Sequence, residues 1–348
     1  MTVTATVAII TVNYGTAAAV LERVGRYLPD LAGTGARLFL VDNASPGGDG
    51  ARLEAGIAAL APTPIPVTVL QASLNGGFAA GNNLAFAYLR QSDWQPDAVL
   101  LLNPDAEPES GAVTTLLEGL LARPEAGFVG PTLVNDDGST FSAAFHFPSW
   151  RTEVLRPLGL PMVERFCPIL ASEGDDPVPV DWIGGASLMI RWQVLQALGD
   201  LDEGFFLYLE EVDYQRVASR QGWQSWHLPA ARVWHAAGET TGVVDGHAKA
   251  GRTPAYLHES WTRYFAKHHG IAATRMMAAG RLGAVLFSWV QRRLRGRPIS
   301  LPERFVADYL SQVLFRRLDP LPRAATAGQT RLAPAKRQEE TEEGAAAR

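Results

Sequence analysis

The sequence is short of several things, and each shortage excludes something. It has one cysteine, Cys167, in 348 residues, so no disulfide can form within the chain. A reducing compartment, or one indifferent to redox state, is expected. No uncharged apolar run approaches the roughly 20 residues that span a bilayer. The opening MTVTATVAIITV has neither a basic start nor a small-residue cleavage site, so no secretory signal is expected. NYGTAAAV follows the first apolar run where a G-x-G-x-x-G would have to stand, which argues against a Rossmann-type dinucleotide cofactor. NGGFAAG has the wrong spacing for a P-loop and lacks its lysine. Acids are absent from Ser260 to Pro302, a segment with eight Lys or Arg in a chain of net charge −5. An acidic body with one basic, apolar segment is a poor nucleic-acid binder and a reasonable candidate for docking on an anionic membrane surface.

What is present is core material: 47% of residues are hydrophobic and 19% charged, the balance of a globular chain. Thr6–Asn13, Arg37–Asp42, Pro66–Gln71 and the run from Val99 read as strands, the first buried on both faces. Helical stretches separate them: one capped by Thr16 and running to about Leu28, one over Ala51–Leu60, one from the NGG loop to about Arg90, and one begun by Ser110. Strand–helix alternation four times over predicts a parallel, three-layer α/β sheet. Beyond Gly127 the pattern changes. Strand-like pieces at Gly127–Val134 and Val180–Ile190 enclose an irregular region, Asp136–Pro179, of the length usual for functional loops. A helix near Leu209–Ser219, strands at Trp223–Leu228 and Ala231–His235, and helices over Pro254–His269, Ile271–Leu294 and Pro302–Leu318 follow. The last 25 residues have almost no large apolar side chain and are expected to be disordered.

Each of the first four strands ends in a polar residue or loop, and in a parallel sheet these ends share one edge, where ligands bind in open α/β folds. Asn13-Tyr14, Asp42-Asn43, Asn75-Gly76-Gly77 and Asn103-Pro104-Asp105 are those ends. Tyr14 suits a base ring, and Asp42 a base imide or a ribose hydroxyl. Gly76 and Gly77 let backbone approach a ligand. Asp105 stands where Pro104 stops its strand; a carboxylate there suits a divalent cation that carries phosphates, or else caps the next helix. In FFLYLEEVDYQR, Glu210, Glu211 and Asp213 crowd one helical turn. Acids favour helix N-termini, yet three together repel, and a partly buried one with a raised pKa is a candidate general base. Trp182, Phe206, Trp223 and Trp226 are candidates to stack on a ligand ring, or ordinary core. His235 ends the strand ARVWH, as a metal ligand or a bystander. Leu282, Val285, Leu286 and Trp289 form an apolar helical stripe with Arg281, Arg292 and Arg295 off it, fit for a membrane interface or for packing.

Taken together, IITVNYGT, VDNAS, NGGFAAGNN, LLNPDAEP, GGASLMIR, FFLYLEEVDYQRVASRQGW, VWHAAGET and YLHESWTRYFAKHHG, in this order over about residues 6 to 270, resemble the inverting, GT-A-fold glycosyltransferases of family 2, in particular the bacterial rhamnosyltransferase-like branch. The resemblance implies a GT-A-type three-layer α/β/α catalytic domain over residues 1–250. Residues 1–125 would be its nucleotide-binding half and 126–250 its acceptor half, with a helical extension over 251–320 and a tail over 321–348. It implies that Asn13, Tyr14, Asp42, Asn75, Gly76, Gly77, Phe78, Asn82, Asn103 and Asp105 border the nucleotide sugar. Asp105 and His235 would hold Mg²⁺ or Mn²⁺. Glu211, or its neighbour Glu210, would be the catalytic base, and Trp182, Gly184, Gly185, Phe206 and Asp213 would face the acceptor. Two positions depart from the family pattern: Asn103 replaces the first Asp of the metal motif, and Glu211 is one methylene longer than the usual Asp. The expected donor is dTDP-rhamnose or a UDP-sugar, and the expected acceptor a lipid-linked or cell-envelope saccharide. The expected location is the cytoplasm, with peripheral contact at the inner face of the membrane. Galactosyl, N-acetylglucosaminyl and mannosyl transfer share these motifs. A sugar nucleotidyltransferase would need a Gly-rich loop with a basic residue after the first strand, which NYGTAAAV does not supply. A non-catalytic glycan-binding protein would tolerate loss of Asp105, Glu211 and His235, all of which are present.

Overall fold

The computed structural model describes residues 5–160, 162–163, 175–236, 243–244, 247–248, 251–297 and 301–317. Cys167, most of the loop after His235 and the C-terminal tail lie outside the described residues. Four parallel strands form the first part of the sheet: β1 (Val7–Asn13), β2 (Ala36–Asp42), β3 (Val67–Gln71) and β4 (Ala98–Leu102), in the order β3-β2-β1-β4. β1 and β4 are buried along their whole length, as expected of apolar runs covered by helices on both faces. The helices between them are α1 (Ala17–Tyr27), α2 (Asp49–Ala59) and α3 (Gly77–Gln91).

The second part of the sheet is mixed. β5 (Ala106–Pro108) leads into α4 (Ala112–Leu121), and β6 (Ala126–Val134) is followed by the short strands β7 (Thr140–Ser142) and β8 (Ala144–Phe145) and by α5 (Trp150–Leu155). Next come β9 (Val178–Val180), β10 (Trp182–Ile183), β11 (Ser187–Arg191), α6 (Trp192–Leu198), α7 (Glu210–Ser219) and β12 (Gln224–His235). β11 lies antiparallel between β4 and β6, β12 runs parallel to β6, and β5 pairs antiparallel with the end of β12. The piece expected as one strand over Val180–Ile190 is therefore three, interrupted at Asp181 and at Gly184-Gly185, where β10 leaves to pair with β8. The two strands expected over Trp223–His235 run as one, with a register break between His227 and Arg232. Pro229 sits in that break and has no amide to give to a ladder.

Two expected caps are corrected. α4 begins at Ala112 behind Gly111, whose φ is 78°, and Ser110 makes no cap bond. At α1, Thr16 gives its amide and hydroxyl to Asn13 Oδ1 (3.1 and 2.9 Å) and does not cap with its side chain. The cap comes from α2 instead. The buried Asp49 carboxylate accepts from Ala17 N–H at 3.1 Å, from Asn13 Nδ2 at 3.4 Å and from Arg52 Nη1 at 2.6 Å. A charge at the positive end of a helix dipole thus links two helices to the end of β1.

The C-terminal helices α8 (Ala255–His269), α9 (Ile271–Leu294) and α10 (Phe305–Tyr309) extend the molecule. α10 ends in one π-helical turn at Leu314, earlier than the expected Leu318, which lies outside the described residues. A second core of Phe205, Val212, Tyr264, Phe265 and Met277 joins α7 to α8 and α9. Among the described residues no helix is long and apolar enough to cross a membrane. Replacing Asp49 strands the first amide of α1 and removes one of three acceptors around the Asn13 amide. Asp49→Ala is expected to lose about 2–3 kcal/mol of stability, read as a lower urea midpoint.

Candidate active site

The carboxyl ends of β1 to β4 gather the expected polar loops on one edge, held there by side chains that bind one another. Asn13 is fully buried and donates to Asp42 Oδ1 at 3.0 Å and Ser45 Oγ at 3.2 Å. Its amide is consumed inside the protein, so its part is to fix Asp42, while Tyr14 beside it stands 47% exposed. Asn43 Nδ2 donates to Asn75 Oδ1 (3.0 Å) and to the Gly77 carbonyl (2.9 Å), which pins the NGG loop to the end of β2. Gly76 precedes α3, and Asn82 returns to the Phe78 carbonyl at 2.9 Å from inside that helix.

Gly77 is where the loop needs glycine. Its φ is 84°, and an added Cβ would sit 1.9 Å from the Phe206 carbonyl oxygen. Phe78 N–H donates to that same oxygen at 2.9 Å. The loop after β3 is thereby locked to the segment that precedes Glu210, 130 residues later. That segment is strained. Tyr208 and Leu209 both have left-handed backbone, φ 69° and 72°, at about 1–3 kcal/mol each for residues with side chains. The kink turns Glu210 and Glu211 into the first turn of α7.

The pairing of β5 with β12 sets His235 opposite Ala106, and Ala236 N–H donates to the Asp105 carbonyl at 3.2 Å. The two side chains meet: His235 Nε2 lies 3.3 Å from Asp105 Oδ1, both nearly buried. The other ring nitrogen, Nδ1, is buried without a hydrogen-bond partner among the described residues. A carboxylate beside an imidazole with a spare nitrogen fits a divalent cation. Among the described residues no third His, Cys, Asp or Glu joins them. Two protein ligands suffice where a nucleotide's phosphates supply the others.

Glu211 reaches this region through Gly185. A Cβ on Gly185 would touch the Glu211 carboxyl at 3.6–3.7 Å, and the Gly185 amide hydrogen-bonds that carboxyl. The next carbonyl, of Ala186, accepts from Asn103 N–H at 3.0 Å. One dipeptide therefore separates the end of β4, with Asp105 two residues on, from Glu211. Burial raises the Glu211 pKa, against the pull of surrounding amides. Burial first, then the Glu211 charge, push Glu210 well above the usual carboxylate range. Of the two, Glu211 has the route to the β4 edge, and Glu210 is the more deeply buried.

Aromatic pairs stand on the segments that lead into Gly185 and into Glu211. Trp182 stacks on Phe145 with centroids 4.6 Å apart, beside Gly184. Phe206 and Tyr208 both pack on Tyr256 of α8, at 6.0 and 6.2 Å. Tyr256 carried no local signal in the sequence; only the fold brings α8 here. Asp213, expected at the acceptor, is instead committed to Lys267 Nζ at 2.6 Å and His268 Nε2 at 2.7 Å and is buried. Trp223 and Trp226 pack on the core near the start of β12, with Trp223 against Gly127 and Trp226 under Arg123. At about 3.3 Å per residue the strand places Trp226 roughly 30 Å from His235, and Trp223 precedes the strand.

No protein-family model matches the sequence. An N-acetylglucosaminyl-diphospho-decaprenol L-rhamnosyltransferase of Mycobacterium tuberculosis is 28% identical over 213 residues, 57% of this chain and 69% of that protein. A rhamnosyltransferase of Escherichia coli is 25% identical over 46% of this chain and 60% of its own. Among solved structures, a mannosyltransferase of Pyrobaculum calidifontis in complex with GDP-Man and Mn²⁺ superposes with TM-score 0.52 at 14% identity, over 86% of this chain and 78% of that one. The fold is that of the GT-A glycosyltransferases. Within that class, the sequence is similar to that of proteins named rhamnosyltransferases.

Glu210 supplies a test through stability. Its folded pKa is raised, so the folded state holds the proton more tightly than the unfolded chain, and wild-type stability falls as pH climbs above the usual Glu value of about 4.3. Glu210→Gln escapes that loss. Its melting temperature is expected to exceed wild type by about 2–4 °C at pH 8, and the gap to close near pH 4.

Proposed function

We propose that this chain is an inverting sugar transferase that moves a hexose, best read as L-rhamnose from dTDP-rhamnose, from a nucleotide diphosphate to a saccharide hydroxyl. The acceptor is read as a lipid-linked saccharide of the polyprenyl-diphosphate kind, as in the name of the mycobacterial relative. The reaction would run at the cytoplasmic face of the membrane. The observation that carries the reading is the meeting of Asp105 with His235 at 3.3 Å, with the half-buried Glu211 one dipeptide away from the same strand end.

In this reading Asp42, fixed by Asn13, accepts from the base or ribose, and Tyr14 covers the base. The Asn75–Phe78 loop borders the sugar. Asp105 and His235 would hold a divalent cation, Mg²⁺ or Mn²⁺, which when bound offsets the charge of the departing diphosphate. Glu211 takes the proton of the acceptor hydroxyl. The acceptor oxygen bonds to the anomeric carbon from the face opposite the diphosphate, the bond to the diphosphate breaks, and the nucleoside diphosphate leaves with its electron pair. Configuration inverts in that single step. Trp182, Phe206 and Tyr256 hold the acceptor ring by stacking, and Gly184 and Gly185 leave room for it. Glu211 must be ionised to act, and its raised pKa shifts the acid limb of the rate profile above the usual glutamate range.

Two measurements test this. dTDP, UDP and GDP are compared in thermal melts with and without Mn²⁺. dTDP is expected to give the largest rise, and His235→Ala to remove the Mn²⁺-dependent part. The absence of a shift with every nucleotide would refute the donor site. Glu211→Gln is expected to keep the nucleotide shift and lose about 10²–10⁴-fold in transfer rate; retained turnover would move the base elsewhere.

A further inference from the structure

The helix α9 (Ile271–Leu294) has two apolar faces, and among the described residues only one of them is packed against other elements. The stripe picked out from sequence, Leu282, Val285, Leu286 and Trp289, is half-buried, with Leu282 packed against the small core of Ala278, Tyr309 and Val313. A different stripe faces solvent: Met276, Ala279, Gly283, Phe287, Val290 and Leu294, all exposed and spaced three or four apart, as one helix face requires. Met276 is 70% exposed, Phe287 55%, Val290 46% and Leu294 83%. This row is about 27 Å long at 1.5 Å per residue. The only polar side chains exposed on α9 are Arg275, Arg292 and Arg293, and Arg295 and Arg297 follow at its end. Two acids near the helix are already matched: Glu153 by Arg281 and Asp308 by Arg252.

We infer that this outward face of α9 docks the protein on an anionic phospholipid surface, with the Phe287–Leu294 end inserted among the acyl chains and the arginines on the headgroups. An exposed, unbroken apolar row is what a water-facing helix avoids, and an apolar face edged by arginines is what an interfacial helix has. Beside the row, an apolar groove of about 410 Å³ runs between α5 and α9, lined by Trp150, Val154, Ala273, Met276 and Gly280. Trp150 is half exposed at its side, a residue type that favours the headgroup level. A second copy of the chain fits less well. A two-fold contact sets the same patch against itself, which would bring arginine against arginine. The inference does not depend on the catalytic reading.

The full-length chain is tested by cosedimentation with phosphatidylcholine vesicles, with and without phosphatidylglycerol. Binding is expected to be at least about tenfold stronger to the anionic vesicles, as a few arginines near the surface would give, and to weaken with salt. The triple variant Phe287→Ser, Val290→Ser, Leu294→Ser is expected to lose vesicle binding while keeping the wild-type melting temperature and nucleotide shift. Arg275→Gln with Arg293→Gln, the exposed arginines that edge the row, is expected to lose most of the preference for anionic lipid. No binding to anionic vesicles, or binding that the triple variant retains, overturns the proposal. So does a wild-type dimer that the triple variant splits without any change on vesicles, which would give the face to a second copy. Loss of the nucleotide shift in wild type would refute the donor site alone.

Discussion

The antiparallel pairing of β5 with the end of β12 is the constraint on which the site depends. β5 is only three residues long, yet it fixes Asp105 and His235 as neighbours through the ladder and through Ala236 N–H on the Asp105 carbonyl. Neither side chain could choose the other from local preference, since they lie 130 positions apart. Pro104 ends β4 and Pro108 ends β5, so the chain between them is too short to wander. An Asp placed by two backbone ladders loses little further freedom on taking a ligand, which is what preorganisation means for a cation site.

The acid side of the site is built on the opposite plan, by strain and burial. Tyr208 and Leu209 hold left-handed backbone, and Glu210 and Glu211 enter the interior together. Such an arrangement persists only where the surroundings over-determine it. Here Gly77 and Phe78 close on the Phe206 carbonyl from one side, and Phe205 and Val212 anchor the segment in the second core from the other. Asp213, on the same helical turn, is tied to Lys267 and His268 of α8, so a third carboxylate is neutralised rather than added to the repulsion. The loop after β3 and the first turn of α7 are thereby one mechanical unit.

Much of this was legible in the residues. Continuous apolar runs marked β1 to β4 because strands buried on both faces need no alternation. The polar strand ends marked the edge, and LLNPDAEP, EEVDY and VWH marked three stretches that the fold brings to one region. What was not legible depended on tertiary placement. The sequence around Asp49 reads as an ordinary helix start, and nothing local says that it caps a different helix. AEP is too short for periodicity to reveal a strand. Tyr256 opens a helix whose amphipathic pattern says only that one face is buried. Asp213 looked like its neighbours because spacing along a helix does not say which acid has a cation opposite. Asn13 was expected beside the ligand, and its amide is instead used to hold Asp42.

The same limit applies to α9, and there it has a physical lesson. Periodicity detects that a helix has an apolar face but not how many faces are covered. In α9 the apolar residues go nearly all the way round, which ordinarily means a helix buried on every side. Among the described residues only one side is covered, by α5, α8 and the turn at Tyr309. A soluble surface of this area would carry acids or amides for hydration, and α9 has no acid, one glutamine and four arginines. The absence of acids from Ser260 to Pro302 and the exposed Phe287–Leu294 row are therefore two aspects of one design: a surface that is unfavourable in water and made favourable by something apolar and negatively charged.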